Sequence, residues 1–293
     1  MKKTGIIGIG IMGSAIARNV IAAGLPVVGF DLAAERRGEL AAMGGEAARS
    51  AAEVAAAADI ILTSLPSIAA IDETAAAIRA HAAKGTVVAE LSTLPIAVKE
   101  RHRAALGEAG ITLLDCPLSG TGAQAVHRDL VVYASGERAA VERCGKVFAG
   151  FARLTHYLGA FGNGSRMKFV ANLLVAIHNV ATAEAMVLGI KAGLAPEDIV
   201  EVVASGAGNS RVFELRAPLM ARDEYQPATM KVDVWQKDMA VIGEFAKGLG
   251  VALPLFSASV PIYNGAVGMG LGNDDTAAVC AVLEAMSGIE RGR

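Results

Sequence analysis

The feature that most constrains this chain is its start: a short apolar run, Thr4 to Ile9, merging into GIGIMG, Gly8 to Gly13, and then into apolar residues at helical spacing through Ala23. Gly24 and Pro26 end that periodicity, as a left-handed cap residue and a helix breaker do. Strand, glycine turn, helix is the arrangement in which backbone N–H groups at a helix start can hold a pyrophosphate. Gly8 makes the turn, Gly10 lets a ligand approach the backbone and Gly13 lets helix and strand pack closely. The next run, Pro26 to Phe30, ends in Asp31, where a carboxylate can bind both ribose hydroxyls of NAD and repel a 2′-phosphate. Arg36 and Arg37 keep NADP open as the lesser alternative, since an arginine near this loop can accept the phosphate; otherwise they are an exposed helix face with Glu35 and Glu39. Met1, Lys2 and Lys3 before the apolar run imitate a secretory signal, and the glycines argue against one.

The alternation continues as in a doubly wound α/β sheet. Asp59 to Leu65, Thr86 to Leu91 and Ile111 to Leu114 read as buried strands separated by Ala-rich helical segments. Ligands bind at the carboxyl ends of such strands, so Leu65, Pro66, Ser92, Thr93 and Ser119 are expected to face one crevice. Thr93 is a candidate for the nicotinamide end, or simply a helix cap. In DCPLSGTGAQA, residues 115 to 125, Ser119, Gly120 and Thr121 offer successive N–H groups and two hydroxyls suited to a carboxylate; the plainer reading is a turn into the strand Leu130 to Ala134. A helix from Glu137 to about Phe151 and a strand near Leu154 to Leu158 follow.

Gly159 to Gly164 then leads into the longest uninterrupted stretch, Ser165 to Lys191, which has no proline and permits a helix of more than twenty residues ended by Gly193. Asn172, His178, Asn179 and Glu184 interrupt its apolar character, so a helix walled in by protein on most sides is expected rather than a membrane span. Lys168 and Asn172 are four apart and share a face. A partly buried lysine at the positive end of a helix has its pKa drawn down toward the range useful for proton transfer. A solvated lysine beside a capping asparagine is the alternative that the helix alone leaves open.

The 293 residues suffice for two domains, here 1–161 and 162–293, and 53% hydrophobic content implies a well-buried interior. A formal charge of -2 gives no electrostatic footprint for nucleic acid or an anionic membrane. Cys116, Cys144 and Cys280 form no CxxC pair, which fits a reducing compartment, the cytoplasm by default, and argues against a structural zinc site.

GIGIMGSAIARNV, DCPLSGTGAQA, GNGSRMKFVANLL at 162 and WQKDMAVIGEFA at 235 together resemble the beta-hydroxyacid dehydrogenase family over nearly the whole chain. The resemblance implies an N-terminal Rossmann domain, a long inter-domain helix and an all-helical C-terminal domain, in a homodimer or homotetramer. It implies hydride transfer, without a metal, between nicotinamide and a small 3-hydroxy acid or its semialdehyde bound between the domains. Lys168 matches the family's catalytic lysine and Asn172 the asparagine that helps hold the substrate. Ile11, Met12, Asp31, Leu65, Pro66 and Thr93, with the glycines of the turn, match cofactor contacts; Ser119, Gly120 and Thr121 match the substrate loop. Lys237 matches a lysine reaching nicotinamide and substrate, or is a surface lysine paired with Asp238 or Glu244.

The chain departs from the family at Thr121 and Gln124, where glycines are usual, and at His127 and Arg128, where small residues are common. Arg211 stands where threonate and tartronate semialdehyde enzymes usually carry tryptophan; it could meet an anionic substrate end or be a solvated residue near Glu214. Two alternatives share the fold: an imine reductase, against which Lys168 and Asp31 count, and a non-catalytic nucleotide-sensing or chromatin-reading protein. Farther on, Pro196 is expected to open a helix, Asn209 or Ser210 to cap the next, and residues 232–249 to bury Val234, Trp235, Met239, Val241, Ile242 and Phe245. Helices at about 254–268 and 274–287, the latter capped by Asn273 or Asp274, would end the chain.

Overall fold

The computed structural model describes residues 3–291, so Met1 and Lys2 of the signal-like start lie outside the described residues. The chain divides into two compact units, one up to Lys168 and one from Phe169. In the first, β1 (Lys3–Ile7), α1 (Ile11–Ala22), β2 (Val27–Phe30), α2 (Ala34–Ala42), β3 (Glu46–Ala47), α3 (Ala51–Ala57), β4 (Ala58–Thr63), α4 (Ile68–His81), β5 (Val87–Glu90), α5 (Ile96–Glu108) and β6 (Thr112–Asp115) follow one another. They build a six-stranded sheet in the order β3-β2-β1-β4-β5-β6, parallel throughout. Alternation of side chains across the pleat separates two cores. Ile6, Val27, Leu62, Val87 and Leu114 pack on one face with Ile16, Val20 and Phe148, while their neighbours Ile7, Val28, Ile61, Val88 and Leu113 pack on the other with Ile71 and Ile78. The strand order reverses beside β1, which puts the crevice of a doubly wound sheet over the ends of β1 and β4.

A second, three-stranded sheet consists of β7 (Leu118–Ser119), β8 (Val131–Ala134) and β9 (Leu154–Tyr157), with α6 (Gly122–Val126) between the first two strands. β7 runs antiparallel to β8, so the Ser119 loop, read from sequence as a turn, is partly a strand. The helix expected from 137 to 151 is two, α7 (Arg138–Arg143) and α8 (Gly145–Phe151), broken at Cys144 where Gly145 weakens the helix.

α9 (Asn163–Lys191), 29 residues long, starts two residues earlier than expected, with Gly164 inside its first turn. It is long and apolar enough to cross a membrane by composition alone, and 44% of its most apolar window is buried. That is less than a helix enclosed on most sides, because Met167, Val170, Leu174 and Leu188 are exposed.

The second unit continues with α10 (Pro196–Ala204), α11 (Arg211–Arg222), α12 (Val232–Leu249), α13 (Pro254–Gly268) and α14 (Val279–Met286). Pro196 opens α10 and the Ser210 hydroxyl caps α11, as expected. The cap before α14 is Asp275, accepting from the Ala277 N–H ahead of a 3-10 turn, and not Asn273 or Asp274. Along α9, Phe169 meets the Phe245 ring at 5.0 Å and Asn179 donates to Tyr263 Oη at 3.0 Å and the Thr276 carbonyl at 2.8 Å. Trp235, Met239 and Ile242 are core on α12, whereas Val234 is exposed and Val241 and Phe245 half-buried, because the apolar stripe is narrower than the residues' hydropathy implies.

Candidate active site

The glycine turn has the geometry its spacing requires. Gly8 has φ of 91°, and a Cβ there would lie 2.1 Å from the Ser64 carbonyl oxygen; one on Gly13 would lie 1.9 Å from the carbonyl oxygen of Gly8. Around Gly10 a Cβ would meet nothing within 4 Å, leaving open space over the first N–H groups of α1, at Ile11 and Met12. The space suits a phosphate group approaching a helix start. Asp31 closes the turn: one carboxylate oxygen accepts from the Ile9 N–H at 2.7 Å and the other from the Ala33 N–H at 2.9 Å. Beside it is a cavity of about 200 Å³ lined by Gly8, Asp31, Leu32, Leu65, Pro66 and Thr74. An apolar slot ending in a fixed carboxylate, next to an open glycine turn, fits the adenosine and pyrophosphate of a dinucleotide.

The two arginines that kept NADP open differ. Arg36 is paired with Glu39 at 2.8 Å. Arg37 donates to the carbonyls of Asp31 at 2.7 Å and Leu32 at 3.0 Å, its guanidinium over the Phe30 ring, so a cation lies at the rim of the ribose position.

The other strand-end loops follow. The Leu65 N–H donates to Ser92 Oγ at 2.8 Å, tying the β4 and β5 ends together. Thr93 is half-buried in the loop before α5 and does not cap it; Pro95 takes the cap position. In the loop expected to hold the substrate, Gly120 has φ of 125°, and a Cβ there would meet Leu130 at 2.6 Å. Gln124 forms a capping box with Thr121, accepting its N–H at 3.1 Å, and also donates to Asp129 at 3.1 Å. The departure at Gln124 therefore uses inside the loop one of the N–H groups expected to face a carboxylate. His127 and Arg128 are exposed past the end of α6, with Arg128 donating to the Ala149 carbonyl.

On α9, Lys168 is half-buried and closes the first unit. In the second unit, Asn172 is buried and donates its amide to Asp238 Oδ2 at 2.8 Å, while Asp238 Oδ1 lies 2.9 Å from Lys237 Nζ. The structure thus joins Asn172 and Lys237 through Asp238, a residue the sequence reading mentioned only as a surface partner. Arg211 is exposed and ion-paired with Glu214 at 2.9 Å.

A parallel sheet with an open glycine turn and a carboxylate-ended slot defines a dinucleotide-binding oxidoreductase fold. The family model described as the NAD binding domain of 6-phosphogluconate dehydrogenase matches residues 3–159. That described as NAD-binding of NADP-dependent 3-hydroxyisobutyrate dehydrogenase matches residues 162–283. The chain is 32% identical to the 2-(hydroxymethyl)glutarate dehydrogenase of Eubacterium barkeri over 98% of its own length and 96% of that protein's. It is 32% identical to an L-threonate dehydrogenase of Cupriavidus necator over 96% of each. A solved 3-hydroxyisobutyrate dehydrogenase from Salmonella typhimurium superposes with a TM-score of 0.89 at 32% identity, over 96% of this chain and 100% of that one. The chain belongs to the beta-hydroxyacid dehydrogenase family and is an NAD(P)-dependent oxidoreductase.

Proposed function

We propose that this protein interconverts a small 3-hydroxy acid and its semialdehyde, with Lys168 as general acid and base. The observation that carries the reading is the order of groups along α9: a half-buried amine at Lys168, then one turn later the buried amide of Asn172, fixed by Asp238. Relatives named for 2-(hydroxymethyl)glutarate and L-threonate support a substrate of this class.

When bound, the nicotinamide supplies or receives the hydride. Gly8, Gly10, Ile11, Met12 and Gly13 would hold its pyrophosphate and Asp31 its ribose, with Leu65 and Pro66 along the slot and Thr93 toward the nicotinamide end; Asp31 favours NAD over NADP. In the oxidative direction neutral Lys168 takes the hydroxyl proton as the carbonyl forms; in reduction the ammonium returns a proton to the developing alkoxide. Asn172 orients that oxygen. Ser119, Gly120 and Thr121 bind the carboxylate, and Lys237 reaches nicotinamide and substrate. The same reading takes the protein as a cytoplasmic homodimer or homotetramer engaging neither nucleic acid nor membrane, in keeping with a net charge of -2.

The test is a spectrophotometric panel of 3-hydroxyisobutyrate, L-threonate, 2-(hydroxymethyl)glutarate and their oxidised partners, with NAD and NADP. Lys168→Ala is expected to bind NAD normally and lose about 100-fold or more of kcat. Near wild-type turnover in that variant removes Lys168 from the chemistry.

A further inference from the structure

At the carboxyl end of the sheet lies a cluster of three charged side chains with almost no solvent access: Glu90 closing β5, Lys99 on α5 and Asp115 closing β6. Lys99 Nζ donates hydrogen bonds to Asp115 Oδ1 at 2.7 Å and to the Ser92 carbonyl oxygen at 2.8 Å, and forms an ion pair with Glu90 Oε2 at 2.6 Å. Burial acts to lower the Lys99 pKa, and the charges of Asp115 and Glu90 outweigh it, so the amine is held above its ordinary value and stays charged. Two carboxylates against one ammonium leave an excess negative charge inside the protein, an arrangement that apolar residues of similar size commonly match or better for stability.

The excess charge faces the start of α9. Asp115 Oδ2 accepts from the Ser165 N–H at 2.8 Å and Oδ1 from the Ser165 hydroxyl at 2.7 Å. The Gly164 N–H donates to Ser135 Oγ at 2.9 Å, and that hydroxyl donates to the Asp115 carbonyl at 3.0 Å. A helix start normally finds its acceptor in the preceding few residues. Here Gly162 has no side chain to offer, and Asn163 donates to the Leu158 carbonyl while accepting from Arg166. The cap is instead a carboxylate on a strand, 50 residues away in sequence. It interacts favourably with the positive end of the helix dipole and fixes both the height and the rotation of the first turn against β6. The other arm of the cluster reaches the cofactor loops: Glu90 Oε1 accepts from the Ser92 N–H at 2.8 Å, and Ser92 Oγ holds the Leu65 N–H.

We propose that Asp115, held by Lys99 and Glu90, is the positioning residue for Lys168: it sets the first turn of α9, three residues before the amine, in register with the strand-end loops that Leu65 and Ser92 belong to. The inference rests on Lys168 being the acid and base. The cluster spans both groups that hydride and proton transfer must align, and misplacement by about 1 Å can cost about 100-fold in rate.

The test is a double-mutant cycle on the full-length enzyme, pairing Asp115→Asn with Lys168→Ala and using the hydroxy acid of the panel above that turns over fastest. Asp115→Asn is expected to lower kcat about 10- to 100-fold with Lys168 present, and by less than about twofold in the Lys168→Ala background, with the KM for NAD unchanged. Equal losses in the two backgrounds, or a wild-type kcat in Asp115→Asn, overturn the proposal. Because Asp115→Asn changes the charge of a buried cluster, Ser165→Ala is run beside it: it removes one hydroxyl, leaves the three charged side chains in place, and is expected to lower kcat about 3- to 10-fold with the KM for NAD unchanged. A wild-type kcat in Ser165→Ala also overturns it. Failure of the acid–base reading is recognised separately, by near wild-type turnover in Lys168→Ala alone.

Discussion

Asn172 donates its amide N–H to Asp238 at 2.8 Å, and this one bond decides which way the asparagine faces. A carboxylate only accepts, so the NH2 end must point to Asp238 and the amide oxygen is left as an acceptor, the polarity that a substrate hydroxyl requires. Asp238 also holds Lys237 at 2.9 Å, so a single carboxylate orients both proposed substrate contacts of the second unit. Asp238→Ala strands the buried Asn172 amide and removes the ion pair to Lys237. The expected loss is about 10- to 100-fold in kcat/KM for the hydroxy acid, or roughly 1.4 to 2.8 kcal/mol, with NAD affinity retained. Steady-state kinetics with a fluorescence titration of NADH checks it; an unchanged kcat/KM would leave Asp238 without this role.

Cofactor choice is expected to turn on Asp31 and Arg37. The carboxylate is fixed by two backbone N–H groups, so it cannot swing away from a 2′-phosphate, while Arg37 already lies on the carbonyls of Asp31 and Leu32. Asp31→Ser should raise the NADP-to-NAD ratio of kcat/KM by about 10-fold or more, because repulsion is removed and a cation stands at the rim. Adding Arg37→Ala should reverse most of that gain and leave NAD within about twofold. If Asp31→Ser leaves the ratio unchanged, the carboxylate does not set the preference.

Much of the first unit was legible because its signals are local. Gly8, Gly10 and Gly13 act within one turn, Asp31 is bonded back to that turn, and β1, β2, β4, β5 and β6 are apolar runs ended by polar loops. What sequence reading missed depends on pairs far apart in the chain. Lys99 reads as one more charge beside Glu100 and Arg101, and only the fold brings it to Glu90 and Asp115. Asp115 opens the motif DCPLSGTGAQA, yet its bond to Ser165 has no periodicity to reveal it. Likewise Gly164 reads in sequence as part of the approach to the helix, whereas in the structure it belongs to α9.

Gly164 and Gly10 should separate packing from binding. A Cβ on Gly164 would lie 2.3 Å from the Tyr133 carbonyl oxygen and 2.7 Å from that of Asp115, backbone atoms that cannot step aside. Gly164→Ala is therefore expected to cost about 1–3 kcal/mol, seen as a lowered thermal midpoint, and to reduce kcat by shifting the first turn of α9. Gly10→Ala meets nothing in the protein, so its midpoint should match wild type while NAD binding weakens about 10-fold or more, the methyl occupying the space over the turn. Calorimetry and NADH titration of the two variants give opposite patterns; a Gly10→Ala protein binding NADH as wild type does would take the pyrophosphate away from this turn.

Alkaline stability tests the buried thiols. Burial pushes Cys144 and Cys280 up to about 12 and Cys116 well above its ordinary value. In the unfolded chain a thiol ionises near about 8.5. Between that pH and the folded values the unfolded state has lost protons that the native state keeps, so stability is fully present below about 8.5 and falls as pH rises through the window. Each thiol contributes a slope of about 1.4 kcal/mol per pH unit. Lys99, whose folded value is raised by its two carboxylates, adds to the loss only near and above the unfolded lysine value of about 10.4, and the buried Tyr225 and Tyr263 hydroxyls, also raised by burial, add near and above about 10, which leaves the range from about 8.5 to 9.5 chiefly to the thiols. Urea unfolding under reducing conditions should therefore show midpoints dropping steeply across that range. Cys144→Ala, though less stable at neutral pH, should show a slope about one third shallower, since one of the three titrating groups is gone. Parallel slopes for the two proteins would mean that Cys144 ionises alike in both states and is not protected by the core.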